Sequence, residues 1–169
     1  MARRPTRSRC LEAAGLALAF ALAAAPATAG TRLDDSLSPR QRIELGARWE
    51  GGSDEARSGE EMLAITAEAR DIEVRLNTAA WTGRNAEIYI AFPPDIVGLR
   101  LPGALRIEWR TRGRFLAGAS IPGQRVLVFR GRIEAAVTAE TFDFTYRIDG
   151  RHFDRRLQFQ PIFEIEPLP

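Results

Sequence analysis

Apolar and polar side chains alternate every second residue through most of this chain, and this alternation limits the possible folds more than any other feature. Successive side chains of a strand point to opposite faces of a sheet, so the alternation predicts strands with one buried face. The apolar registers are Ile43, Leu45, Ala47 and Trp49; Ile72, Val74 and Leu76; Ala86, Ile88, Ile90 and Phe92; Leu105, Ile107 and Trp109; and Phe142, Phe144, Tyr146 and Ile148. An all-β chain is therefore predicted.

Turn residues separate these registers at the spacing of about 8–12 residues that is typical of antiparallel sandwiches. We therefore predict an immunoglobulin-like β-sandwich of about eight strands, with a small β-barrel as the alternative. Residues 60–70 are open to two interpretations. Ser58 and Glu61 have the spacing of a helix capping box, whereas Leu63, Ile65 and Ala67 alternate like a strand, which the neighbouring strands favour.

Three further details of the strands follow from local residue types. The uninterrupted apolar run 126–129 predicts a central strand. Asp149 and Gly150 predict a tight hairpin turn, with a return strand through residues 157–165. Pro161 lacks an N–H for the ladder, so that strand is predicted to lie at an edge or to be bulged there.

The first 29 residues have the three-part order of a bacterial secretory signal peptide. Four arginines, at positions 3, 4, 7 and 9, precede an apolar stretch over residues 16–25 and the small residues Ala27-Thr28-Ala29. About ten apolar residues are too few to cross a hydrocarbon core of roughly 30 Å as a helix. Cleavage near Ala29 and a periplasmic or secreted location are predicted, with no transmembrane segment after processing.

Processing would change the charge and cysteine content of the chain. All 24 basic residues of the chain are arginine. Processing would remove four of them, together with one of the 22 acidic residues. Charge then gives no reason to expect nucleic-acid binding. The single cysteine, Cys10, would also be lost, which excludes disulfides and thiol chemistry. Residues 30–40 are predicted to be a flexible lead-in, and residues 41–169 one sandwich domain.

Catalytic motifs are absent from the sequence. The only histidine, His152, lies in a predicted turn, and no serine has the Gly-x-Ser-x-Gly context of a hydrolase nucleophile. Glycoside hydrolysis needs only two carboxylates across a cleft, so a carboxylate-based hydrolase remains an alternative. Acidic residues on the polar sides of strands, such as Asp71, Glu73, Glu87 and Asp143, are expected to be solvated. The chain is predicted not to be an enzyme and to use no cofactor or metal.

Arginine density is the most prominent surface feature of the sequence. From residue 96 onward there are twelve arginines and eight acidic residues, and four of these arginines share one strand parity: Arg106, Arg110, Arg112 and Arg114. They are candidate contacts for an anionic partner, because guanidinium groups bind phosphate and carboxylate in bidentate fashion. A solvated sheet face balanced by cross-strand acids is the competing interpretation.

Two aromatic residues suggest a further alternative. Trp81 lies in a loop and Tyr89 on the polar side of its strand, so both are candidate contacts for a glycan or partner. The leading expectation is an exported, non-enzymatic module that acts by contact with an envelope protein or an anionic surface. Its alternatives are a glycan-binding module and the carboxylate-based hydrolase. Neither the partner's identity nor the oligomeric state follows from the sequence.

Overall fold

In the computed structural model, residues 30–39, 48–49 and 64–168 are described, and their strands form two facing sheets and a smaller strand pair. The strands are β1 (Thr31–Arg32), β2 (Arg48–Trp49), β3 (Ala64–Asn77), β4 (Asn85–Ala91), β5 (Val97–Leu99), β6 (Leu105–Thr111), β7 (Gly118–Ser120), β8 (Arg125–Arg132), β9 (Val137–Asp149), β10 (Phe153–Gln158) and β11 (Ile162–Pro167). The four-stranded sheet has the order β1-β11-β4-β8 and the five-stranded sheet the order β2-β3-β9-β6-β7, while β10 pairs with β5. Each of these pairings is antiparallel.

The core lies between the two sheets and is built from the apolar registers of β4, β6, β9 and β11. Phe142 stacks on Phe144 of the same strand at a centroid distance of 5.3 Å, and its ring lies 5.9 Å from that of Phe163 in the opposite sheet. The two sheets stay separate and pack as a sandwich. The predicted antiparallel β-sandwich is confirmed, and the barrel alternative was wrong.

β3 joins two apolar registers in one long strand. Residues Ile65, Ala67 and Ala69 face the core in its first half, and Val74 and Leu76 in its second half. The parity changes at a bulge between Ala69 and Ile72, where the pairing with β9 shifts and Asp71 adopts a φ of 58°. A bulge adds one residue to a strand, so both halves can keep their apolar side chains inside. From Ala64 onward the ambiguous segment is a strand, as favoured; residues 60–63 lie outside the described part.

The strand that contains the apolar run 126–129 lies at a sheet edge, so the prediction of a central strand was wrong. β8 pairs only with β4 among the described strands of its sheet. A register shift opposite Ile88 and Tyr89 places both Val128 and Phe129 in the core, which explains the uninterrupted run. The edge is partly covered by Leu116, whose N–H donates to the Val128 carbonyl at 2.6 Å.

The predicted hairpin after β9 was also wrong. A short 3-10 turn over Gly150–His152 leads into β10, and β10 pairs with β5 and not with β9. The return segment is divided into β10 and β11, and β11 lies between β1 and β4 inside the four-stranded sheet. Pro161 falls in the break between the two strands, where its missing N–H interrupts no ladder.

Residues 30–39, predicted to be a flexible lead-in, contact the sandwich. Thr31 and Arg32 pair with β11, and Leu33 is buried with its N–H donating to the Phe163 carbonyl at 2.8 Å. Backbone pairing with β11 and the burial of Leu33 therefore hold this segment against the sheet, although its low apolar content predicted no packing. The predicted signal peptide over residues 1–29 lies outside the described residues, as does most of the strand predicted from Ile43 to Trp49.

Candidate functional site

Three of the four candidate arginines, Arg106, Arg110 and Arg112, line one hollow on the outer face of the five-stranded sheet, and Arg114 does not line it. Arg106 and Arg110 lie on the outer side of β6, while Arg112 and Arg114 follow the end of that strand. The Arg106 Nε–H donates to Glu108 at 2.9 Å, and Arg114 forms an ion pair with Glu134 at 2.8 Å. Arg112 contacts two carboxylates at the β3 bulge, those of Asp71 at 2.7 Å and Asp143 at 3.2 Å.

Charge on this outer face is therefore largely balanced by acids, as the competing interpretation of the arginines proposed. Arg110 is the one member of the four with no ion pair to a described residue. Its cross-strand neighbour on β9 is Asp143, which already contacts Arg112. Most of the four arginines are consequently already engaged by a carboxylate of the chain itself.

One pair of arginines departs from this balance. Arg106 on β6 lies directly opposite Arg147 on β9, and like charges in that position destabilise a sheet. Both guanidinium groups approach the same carboxylate, Glu108, at 2.9 Å and 3.7 Å. The hydrogen bond from Arg106 and the charges of both arginines lower the pKa of Glu108, so the carboxylate stays ionised. Arg106 and Arg147 therefore share one carboxylate, that of Glu108.

A hollow of about 740 Å³ adjoins the Arg106–Arg147 pair. Arg151 and His152 line it from the 3-10 turn after β9, and its apolar part includes Leu101, which is 51% exposed. The Asp149 carboxylate in the same hollow is bound by Arg151 at 2.7 Å, which lowers its pKa to about 2. Its charge is thereby matched by Arg151 and does not offset the Arg106–Arg147 pair.

No family model, curated protein or solved structure matches this chain. The function proposed below therefore rests on the geometry of the described residues. Among them, no helix has the length and apolar character needed to pass through a membrane.

The two aromatic candidates have different surroundings. Trp81, at the end of a 3-10 turn before β4, is half-buried and packs against the core. Tyr89 lies on the outer side of β4, donates its hydroxyl to Glu87 at 2.7 Å, and carries the Arg125 guanidinium over its ring at 3.5 Å. Stacking on a sugar needs an exposed face of an aromatic ring. Contacts within the protein cover part of both rings, so glycan binding stays a prediction without geometric support.

Two of the four acidic residues named above, Glu87 and Asp143, have a lowered pKa, which is the opposite of what a general acid needs. Glu87, expected to be solvated, is instead buried and bound by Tyr89 and Arg130, and these hydrogen bonds lower its pKa. The backbone N–H of Asp71 and the side chain of Arg112 lower the pKa of Asp143. Glycosidase general acids need a raised pKa. The hydrolase alternative gains nothing from these residues, and the absence of enzymatic activity stays a prediction.

Sequence reasoning missed Arg147 and gave His152 no role. Arg147 is visible in the sequence as a polar residue of the 142–148 register, but only the register between β6 and β9 places it opposite Arg106. His152 was expected in a solvated turn, whereas it is half-buried and its carbonyl accepts the Arg100 N–H at 2.9 Å. Both residues become candidates only through pairing across the fold.

Proposed function

We propose that this protein is an exported, non-enzymatic module that docks on an anionic envelope surface through Arg106 and Arg147. The observation that carries the proposal is the direct opposition of these two cations with one shared carboxylate. Such an arrangement costs stability in the free protein. An anion held between the two guanidinium groups would remove that cost.

Phosphate-bearing lipid headgroups are the partner class that fits this hollow best. Guanidinium groups bind phosphate oxygens in a planar, bidentate fashion, and about 57–58% of each of these two side chains is exposed. Leu101 adds an exposed aliphatic side chain beside the cations. Proteins that lie on membrane surfaces combine basic residues with apolar ones in this way. The predicted export would bring this face to the envelope.

Replacing Arg147 with glutamine should weaken binding to vesicles that contain phosphatidylglycerol by about fivefold. Each basic residue near an anionic membrane contributes about 1 kcal/mol, and the R106Q/R147Q variant should lose about 30-fold. The melting temperature of R147Q should stay unchanged or rise, because the substitution removes a like-charge contact. Vesicle co-sedimentation at low salt and thermal unfolding measure the two effects.

Arg75→Gln is the matched control, since Arg75 lies on the outer side of β3 in the same sheet and is paired with Glu73 at 2.7 Å. This variant should retain most of the binding. Equal losses for R75Q and R147Q would show that net charge alone governs retention. Equal binding of the unmodified protein to neutral phosphatidylcholine vesicles would contradict the proposal.

A further inference from the structure

A second hollow, a cleft of about 660 Å³, opens between the two sheets away from the Arg106–Arg147 pair. Its walls come from both sheets: Phe144 and Tyr146 belong to β9 of the five-stranded sheet, and Phe163 belongs to β11 of the four-stranded sheet. Phe159, in the link between β10 and β11, lies 6.0 Å from Phe92 and 5.8 Å from Tyr146 between ring centroids. The cleft is therefore lined with aromatic rings in edge-to-face contact.

The Tyr146 hydroxyl has no hydrogen-bond partner among the described residues. The residue is only 7% exposed, and burial raises the pKa of its hydroxyl, so the group stays protonated and able to donate. No fully buried side-chain oxygen or nitrogen among the described residues lacks a partner, so the Tyr146 hydroxyl oxygen keeps some accessible surface. It is therefore open to a hydrogen-bond partner from outside the chain. Because Tyr146 lines the cleft, a bound molecule could supply that partner.

The polar rim of the cleft limits the charge of such a molecule. Asp35 and Glu73 are the charged side chains among the described lining residues, and both are acidic. Glu73 is offset by Arg75 at 2.7 Å, which leaves Asp35 as the charge without an ion pair to a described residue. An anionic ligand would meet repulsion and find no basic side chain among the lining residues that the structure describes. Neutral and cationic ligands would not be repelled by these acidic side chains.

We infer that this cleft is a binding site for an uncharged or cationic aromatic ligand with one hydrogen-bonding group. The aromatic part packs between Phe144 and Phe159, and the polar group accepts the Tyr146 hydroxyl hydrogen. The site uses residues other than the proposed docking surface, so either can fail without the other.

Matched naphthalene probes test both features of the ligand. 1-Naphthalenemethanol and 1-naphthylmethylamine should bind to the full chain, as followed by naphthyl fluorescence, and 1-naphthoic acid should bind at least tenfold more weakly. Tyr146→Phe should weaken binding of the alcohol by about three- to tenfold, the range expected for one hydrogen bond. Its affinity for naphthalene, which has no polar group, should be unchanged.

Tyr89→Phe is the control, because Tyr89 is the other tyrosine of the chain and bonds to Glu87 outside the cleft. Equal effects of the two substitutions, stronger binding of the acid, or no binding of any probe would each overturn the inference. A direct measurement on the unmodified protein guards against misfolding of the variant. The ring carbon-13 signals of Tyr146, assigned with the Y89F protein, should shift when the alcohol is added, and unshifted signals would contradict the site.

Discussion

Replacing Phe142 with alanine is expected to lower the free energy of unfolding by about 3–5 kcal/mol, which is the usual cost of deleting a buried aromatic ring. Phe142 is fully buried at the centre of the sandwich. Its ring lies 5.3 Å from Phe144, 5.9 Å from Phe163 and 6.0 Å from Phe115. The truncation would leave a cavity where the two sheets meet, and the rigid strands around it can collapse only partly.

Urea unfolding followed by tryptophan fluorescence measures this loss. Val137→Ala is a matched control on the same strand, because Val137 is 40% exposed and its truncation should cost under about 1 kcal/mol. The denaturant dependence should be the same for both variants, since they expose similar surface on unfolding. A loss below about 1 kcal/mol for Phe142→Ala would show that this ring is not interior.

Glu140→Ala is expected to destabilise the protein by about 2–4 kcal/mol, because it removes the acceptor of several backbone donors. The Glu140 carboxylate is 5% exposed and accepts the N–H groups of Gly113 at 2.8 Å, Phe115 at 2.9 Å and Thr141 at 2.9 Å. These bonds hold the segment after β6 against β9, and they position Phe115 over Phe129 at 5.6 Å. Losing them would leave buried donors unpaired and loosen the Phe115 ring.

Thermal or urea unfolding measures the effect of Glu140→Ala, with Glu134→Ala as the control. Glu134 pairs with Arg114 in solvent, its side chain is 69% exposed, and such pairs contribute about 0–1 kcal/mol. Amide hydrogen exchange adds a local readout. The Gly113 and Phe115 amides should exchange faster in Glu140→Ala, and unchanged protection of both would contradict the role given to the carboxylate.

The core could be predicted from the sequence because the strand period is local. Ile88, Ile107 and Phe144 each belong to an alternating register, and each is buried where its parity places it. The predictions were wrong where the pairing between strands, and not the sequence of one strand, determines the structure. The run 126–129 resembles a central strand, yet a register shift against β4 accounts for it at an edge. No property of residues 126–129 alone distinguishes the two cases.

The candidate docking site was predictable in part. Arg106 was correctly placed on a polar strand face, and it lines one hollow with Arg110 and Arg112. Shared parity along a strand or strand pair did not extend to Arg114, which follows the end of β6 and does not line that hollow. The partner that sets Arg106 apart, Arg147, is 41 residues away in the chain and becomes a neighbour only through the β6–β9 register. Glu140 was likewise indistinguishable from a solvated acid, since two of its three backbone donors, Gly113 and Phe115, lie on a segment 25–27 residues earlier.

The sequence alone determined that this chain forms strands and which of their side chains are buried, because both depend on the spacing of neighbouring residues. The signal-peptide prediction rests on the same kind of local pattern. Tertiary structure alone decided which strands pair, where Asp71 shifts the register and which cations oppose each other. It also placed Tyr146 at a cleft, with no described residue bonded to its hydroxyl. The physical reason is that side-chain alternation is set by the backbone within a strand, whereas register, charge opposition and cavities arise between strands that are distant in the chain.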